Sequence, residues 1–283
     1  MRIKTADGVQ LYVEHKGQGV PCIYLHGGPG YWSKSFQEFA GDYLETNLQM
    51  VYLDQRGCGR SLQKENQDYS LERLVQDIEE VRKALNISEW YVLGHSFGGI
   101  LAVQYALSYS QFTKGLILAN TTLSMYDSFE HQMTVGNVWL NRMYKPNRSQ
   151  GHDEFMSQFY SFLEVMLNEK LYDNLQFPSD DVQYKLAKAD QGLRPDPSFQ
   201  QYVFSNVEYF SDFRRFTSSI HQPVLLLNGR YDHAIGPNHH DGCAFPNATS
   251  HLLECGHHPY SEDPASFAQF IHEFVRKNEL VNQ

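Results

Sequence analysis

Short, almost wholly apolar runs, each ending in a glycine-rich or polar loop, recur along this chain with helical periodicity between them. Val20-Pro21-Cys22-Ile23-Tyr24-Leu25 enters His26-Gly27-Gly28-Pro29-Gly30, and Met50 to Leu53, Trp90 to Leu93, Gly115 to Ala119 and Pro223 to Leu227 repeat the pattern. A strand that is apolar on both sides needs cover on both faces, as in a parallel sheet with helices above and below. Helical stretches fill the gaps, around Trp32 to Leu44, from Ser70 to Leu85 with Leu71, Leu74, Ile78 and Val81 on one side, and from about Gly99 to Ser108. Ser70 is placed to cap the second of these. The pattern predicts an α/β fold, a mostly parallel central sheet flanked by helices.

The start departs from that rhythm: Arg2 to Thr5 and Val9 to His15 flank Asp7-Gly8, which reads as a hairpin. A larger interruption lies in the middle, where some 90 residues are helical or irregular and rich in Phe, Tyr, Trp and Met. We expect a core from residues 1–122, an inserted and mainly helical cap over 123–216, and a second core segment over 217–283. The last segment resumes the alternation with Ser250 to Leu253 and a closing helix carrying Phe267, Phe270, Ile271 and Phe274.

With 41% hydrophobic and 14% aromatic residues the chain can build a large core, and disorder is not expected. A net charge of −10 and the absence of any Lys/Arg block argue against nucleic acid as a partner. No apolar run approaches the ~20 residues of a membrane span, and the first eight residues lack a signal-peptide segment. The expectation is a cytoplasmic protein acting on a small molecule or short peptide. Cys22, Cys58, Cys243 and Cys255 are scattered and read as packing thiols.

The chemistry is concentrated in Gly94-His95-Ser96-Phe97-Gly98, a G-x-S-x-G sequence directly after an apolar strand and before a helix. A serine on so sharp a turn needs small neighbours two residues to either side, and it points its hydroxyl at the positive end of the helix. Ser96 is the expected nucleophile, with the Phe97 N–H as one oxyanion donor. A serine hydroxyl needs a base, and the base an orienting carboxylate, further along the chain. Asp232, in Asn228-Gly229-Arg230-Tyr231-Asp232, follows a buried strand. The end of the preceding strand, Asn120-Thr121-Thr122, carries no carboxylate. For the base, Gly256-His257-His258-Pro259 offers two adjacent histidines, and His257 is taken because only one of two consecutive side chains can enter the site. The second oxyanion donor is assigned to the Gly28 N–H, in a loop where Gly27 and Gly28 let the backbone pass close to substrate. His233, His239, His240 and His251 have no companion acidic motif, and such a site requires neither metal nor cofactor.

Taken together, His26-Gly27-Gly28-Pro29-Gly30, Asp54-Gln55-Arg56-Gly57-Cys58-Gly59-Arg60-Ser61, the Ser96 turn, Gly229-Arg230-Tyr231-Asp232 and Gly256-His257 closely resemble the proline iminopeptidase family of α/β-hydrolases. The resemblance implies the α/β-hydrolase fold and an aminopeptidase that releases an N-terminal residue, often proline, from short peptides. It also implies acidic side chains of the cap that hold the free ammonium, for which Glu208 is the first candidate and Glu164 the second, either being equally readable as a solvated helix charge. An esterase or lactonase would use the same triad on a small ester, and a non-catalytic receptor on the same scaffold is the reading from another class. Asp54 and Arg56 are expected to brace their loop.

Overall fold

A computed structural model describes residues 1–61, 67–193 and 197–281. Arg2–Lys4 (β1) and Gln10–Lys16 (β2) form the hairpin, closed by hydrogen bonds between Thr5 and Val9. Val20–Leu25 (β3) leads to Lys34–Leu44 (α1), then Leu48–Leu53 (β4), Leu71–Ala84 (α2), Trp90–Ser96 (β5), Gly98–Ser108 (α3) and Thr113–Thr121 (β6). The chain then leaves the sheet through Met125–Leu140 (α4), His152–Asn168 (α5), Asp180–Ala189 (α6) and Pro197–Ser205 (α7). It returns as Val224–Gly229 (β7) and Ala248–Leu253 (β8), and ends in the single turn Pro259–Glu262 (α8) and Pro264–Val281 (α9).

The eight strands lie in the order β1-β2-β4-β3-β5-β6-β7-β8, parallel from β4 to β8, with the hairpin antiparallel at one edge. Strand periodicity sorts their side chains into two cores. Cys22 and Tyr24 of β3, Tyr91 and Leu93 of β5 and Leu225 and Leu227 of β7 meet Phe36 of α1 and Phe267, Ile271 and Phe274 of α9. Their neighbours Ile23, Leu25, Val92, Val224 and Leu226 face the other way, towards α2, α3 and the cap. The helices thus cover both faces, as buried strands require.

Ser70 caps α2 as expected, accepting the Arg73 N–H at 3.3 Å. Several strands extend beyond their apolar runs, β6 through Asn120 and Thr121 and β5 through Ser96. Ladder bonds persist there although the side chains turn polar, and the carboxyl ends of the strands become the floor of the site. All four cysteines are free thiols.

Candidate active site

Ser96 ends β5 with φ at +52°, in the left-handed region that side chains ordinarily avoid. Close packing holds it there. A Cβ on Gly94 would lie 2.6 Å from the Gly98 carbonyl oxygen, and one on Gly98 would lie 2.1 Å from that of Leu25. Neither position admits a side chain, so the two glycines of the motif are set by backbone approach.

Three separate segments bring their side chains together at this turn. His257 Nε2 is 3.1 Å from Ser96 Oγ, and His257 Nδ1 is 2.9 Å from Asp232 Oδ2. All three residues are buried. A carboxylate accepts only, so Nδ1 carries the proton and Nε2 is left as acceptor for the serine hydroxyl, the tautomer a general base needs. Asp232 Oδ1 accepts the N–H groups of Ala234 and Ile235 at 2.9 and 3.3 Å, so one carboxylate both closes its own turn and orients the ring.

His258 lines the same cavity, but Nδ1 meets Tyr260 Oη at 3.0 Å and Nε2 meets Gln176 Oε1 at 3.1 Å. Burial holds its pKa well below the usual imidazole range. His95 is buried and held low in the same way, and its Nε2 donates to the His257 carbonyl at 2.8 Å.

Gly27, Gly28 and Phe97 line the cavity beside the serine, and a Cβ on Gly27 would come within 2.8 Å of Ser96 Cβ. The glycine loop is tied down by His26, whose Nε2 accepts the Gln55 N–H at 3.0 Å and whose pKa burial pushes down to about 4. Asp54 accepts from the Ser33 N–H at 2.9 Å and the Arg60 N–H and Nε at 2.8 and 2.7 Å. Arg56 pairs with Asp77 at 2.8 Å and Asp7 at 2.6 Å. Both brace their loop as the sequence led us to expect.

The cavity over Ser96 measures about 350 Å³. Met125, Phe129, Phe159, Leu163 and Phe204 of the inserted helices form an apolar wall, with Phe129 and Phe159 stacked at 3.9 Å between ring centres. A second wall carries Tyr31, Tyr172, Gln176 and Asp190.

The family model for the alpha/beta hydrolase fold matches residues 20–264. The chain belongs to the α/β-hydrolase family. The proline iminopeptidase of Neisseria meningitidis serogroup A is 28% identical to this hydrolase over 288 residues, covering 91% of the chain and 90% of the relative. Among solved structures, a proline iminopeptidase-related protein of Thermus thermophilus superposes with a TM-score of 0.83 at 23% identity, covering 98% of this chain and 96% of that one. An esterase from Exiguobacterium antarcticum superposes with a TM-score of 0.71 at 19% identity, covering 98% and 99%. The likeness to proline iminopeptidases read from the motifs thus extends along nine tenths of the chain.

The structure does not bring Glu208 or Glu164 to the hydrolase's cavity. Glu208 lies in the turn Val207–Phe210, whose Tyr209 and Phe210 point inward, and its carboxylate accepts the Leu71 N–H at 3.4 Å outside the cavity. Burial and Asp68 raise its pKa, against the Leu71 bond. Glu164 is exposed because Phe159, Phe162, Leu163 and Met166 already occupy the inward stripe of α5. The carboxylate that does line the cavity is Asp190, immediately after α6. It accepts from Tyr31 Oη at 2.6 Å, from Trp32 Nε1 at 2.9 Å and from Ser35 Oγ. Nothing in the linear sequence singles it out, since its donors are 155 to 159 residues away.

Asn120 also escaped the sequence reading. It accepts the Gly229 N–H at 2.6 Å and donates to the Gly256 carbonyl at 2.7 Å, joining the two loops that lead to Asp232 and His257. The polar extension Asn120-Thr121-Thr122 after an apolar strand is a usable signal, since polar groups at a buried strand end need partners.

Proposed function

We propose that this hydrolase is a serine aminopeptidase of the proline iminopeptidase kind, releasing the N-terminal residue of short peptides through an acyl-enzyme. The serine mechanism is supported by the chain Ser96 to His257 to Asp232 at 3.1 and 2.9 Å. His257 takes the Ser96 proton as Oγ attacks the scissile carbonyl, and Asp232 stabilises the imidazolium that forms. The N–H groups of Phe97 and Gly28 stabilise the oxyanion. His257 then gives its proton to the leaving amine, and water repeats the sequence on the ester.

The observation that carries the peptide reading is Asp190. An ammonium entering an apolar cavity requires a carboxylate, and this one faces the cavity with neutral partners that orient it without cancelling its charge. The aromatic wall opposite suits a small apolar residue. One feature favours a second reading, an esterase or lactonase: Tyr31, Trp32 and Ser35 already occupy Asp190, which leaves a cavity fit for a neutral acyl group.

Turnover of a proline arylamide and of a short aryl ester, measured on wild type and Asp190→Asn, separates the two. We expect arylamide cleavage whose kcat/KM drops roughly 10- to 100-fold in the variant, the worth of one bond to a charged group, with ester turnover unchanged. Rapid ester hydrolysis without arylamide cleavage would sink the peptidase reading.

A further inference from the structure

The proposed base sits on the tripeptide Gly256-His257-His258, which belongs to neither a helix nor a strand. Its backbone is fastened from outside at every step. The Gly256 N–H donates to Glu262 Oε2 at 2.8 Å and the His258 N–H donates to Glu262 Oε1 at 3.2 Å, so the two oxygens of one carboxylate straddle His257. The Gly256 carbonyl accepts from Asn120 Nδ2, the His257 carbonyl from His95 Nε2, and the His257 N–H donates to the Gln176 carbonyl at 2.9 Å.

Among these partners Glu262 alone bears a charge. It closes the single turn α8 and is half-buried. Among the described residues no lysine or arginine pairs with it within 4.0 Å. Its negative charge is close enough to interact with His257.

We propose that Glu262 is a positioning residue of this hydrolase: its carboxylate spans the N–H groups on either side of His257, fixes the ring between Asp232 and Ser96, and favours the imidazolium formed during acylation. The proposal rests on Ser96 and His257 acting as nucleophile and base. The geometry is demanding, because the ring must reach both partners at once, and a small displacement of the loop lengthens one contact as it shortens the other. Burial raises the pKa of Glu262 while the two N–H bonds oppose that rise. The carboxylate therefore depends on the same loop that it holds.

The test is Glu262→Gln and Glu262→Ala, assayed with a short aryl ester across pH and with a fluorophosphonate that reports Ser96. Glutamine keeps the shape and one acceptor oxygen but loses the charge and turns an NH₂ towards a backbone N–H. We expect kcat to fall roughly tenfold with KM little changed, the value of one charge-assisted bond. We also expect the acid limb of kcat/KM to move to lower pH, since an imidazolium without the nearby anion is less favoured. Glu262→Ala should lose more, with glutamine restoring part of that loss. Wild-type rates and an unmoved acid limb in both variants would overturn the proposal. A lowered melting temperature with an unmoved acid limb in Glu262→Gln would do so too, leaving a purely structural role. Failure of the wild type to be labelled at Ser96 would instead remove the serine-nucleophile reading on which the proposal rests.

Discussion

The floor and the roof of the cavity are built by different physics. On the floor, polar groups at the strand ends take specific partners: Asp232 two N–H groups and a ring, Asn120 one N–H and one carbonyl, His26 the Gln55 N–H. Each pairing is directional, so the relative positions of Ser96, His257 and Asp232 are fixed by bond geometry. The roof consists of Met125, Phe129, Phe159, Leu163 and Phe204, whose contacts are apolar and without direction. On the proposed function the floor would determine which bond is attacked and the roof which molecule is admitted, so one could be altered without the other.

The hardest break of that division is Ser96→Ala. It removes only Oγ from the floor, and we expect turnover to fall about 10⁶-fold, as when a triad nucleophile is lost elsewhere. Fluorophosphonate labelling should vanish while the melting temperature stays within a few degrees of wild type. Labelling that survives in Ser96→Ala would place the nucleophile on another residue.

The same division explains what could be read in the sequence. Ser96, Asp232 and His257 were legible because backbone geometry restricts which residues can surround them: a strained turn needs Gly94 and Gly98, and Gly256 has the Gln176 carbonyl oxygen 2.6 Å from where its Cβ would be. The parallel sheet was legible because strands covered on both faces must be apolar throughout. Asp190 was not. Its place in the cavity depends on how α6 packs against the loop after β3, and Glu208, among aromatics in the sequence, was the first candidate through its resemblance to the family's cap glutamate. In three dimensions those aromatics face inward without it. A helical cap leaves no motif because many side-chain sets pack equally well, so the lining of the roof was much less legible than the cluster at the strand ends.

A substitution in the roof should spare the chemistry. Phe159→Ala removes one ring of the stacked pair with Phe129 and opens a void among buried aromatics. We expect a loss of about 3 to 5 kcal/mol in stability, as for other buried phenylalanines, measured by urea denaturation. Preference among arylamides of different N-terminal residues should shift towards larger ones, while the rate of labelling by a small fluorophosphonate stays near wild type. If labelling slows in proportion to the arylamide rate, floor and roof are not separable.

The smallest effect is in the response to acid. His26 is buried and neutral, with its pKa pushed from 6.5 down to about 4. The unfolded chain therefore binds a proton that the folded chain refuses, and the stability due to the neutral ring is full above pH 6.5 and is lost as pH falls towards 4. Across that window His26 accounts for about 3 kcal/mol. His95 and His258, also held neutral by burial, act in the same direction. In His26→Gln the slope of unfolding free energy against pH should flatten by the share of one proton, even though the variant is less stable at pH 7 for want of the bond from the Gln55 N–H. An unchanged slope would mean that His26 takes up its proton in the folded protein, with the glycine loop beside Ser96 rearranging to admit the charge.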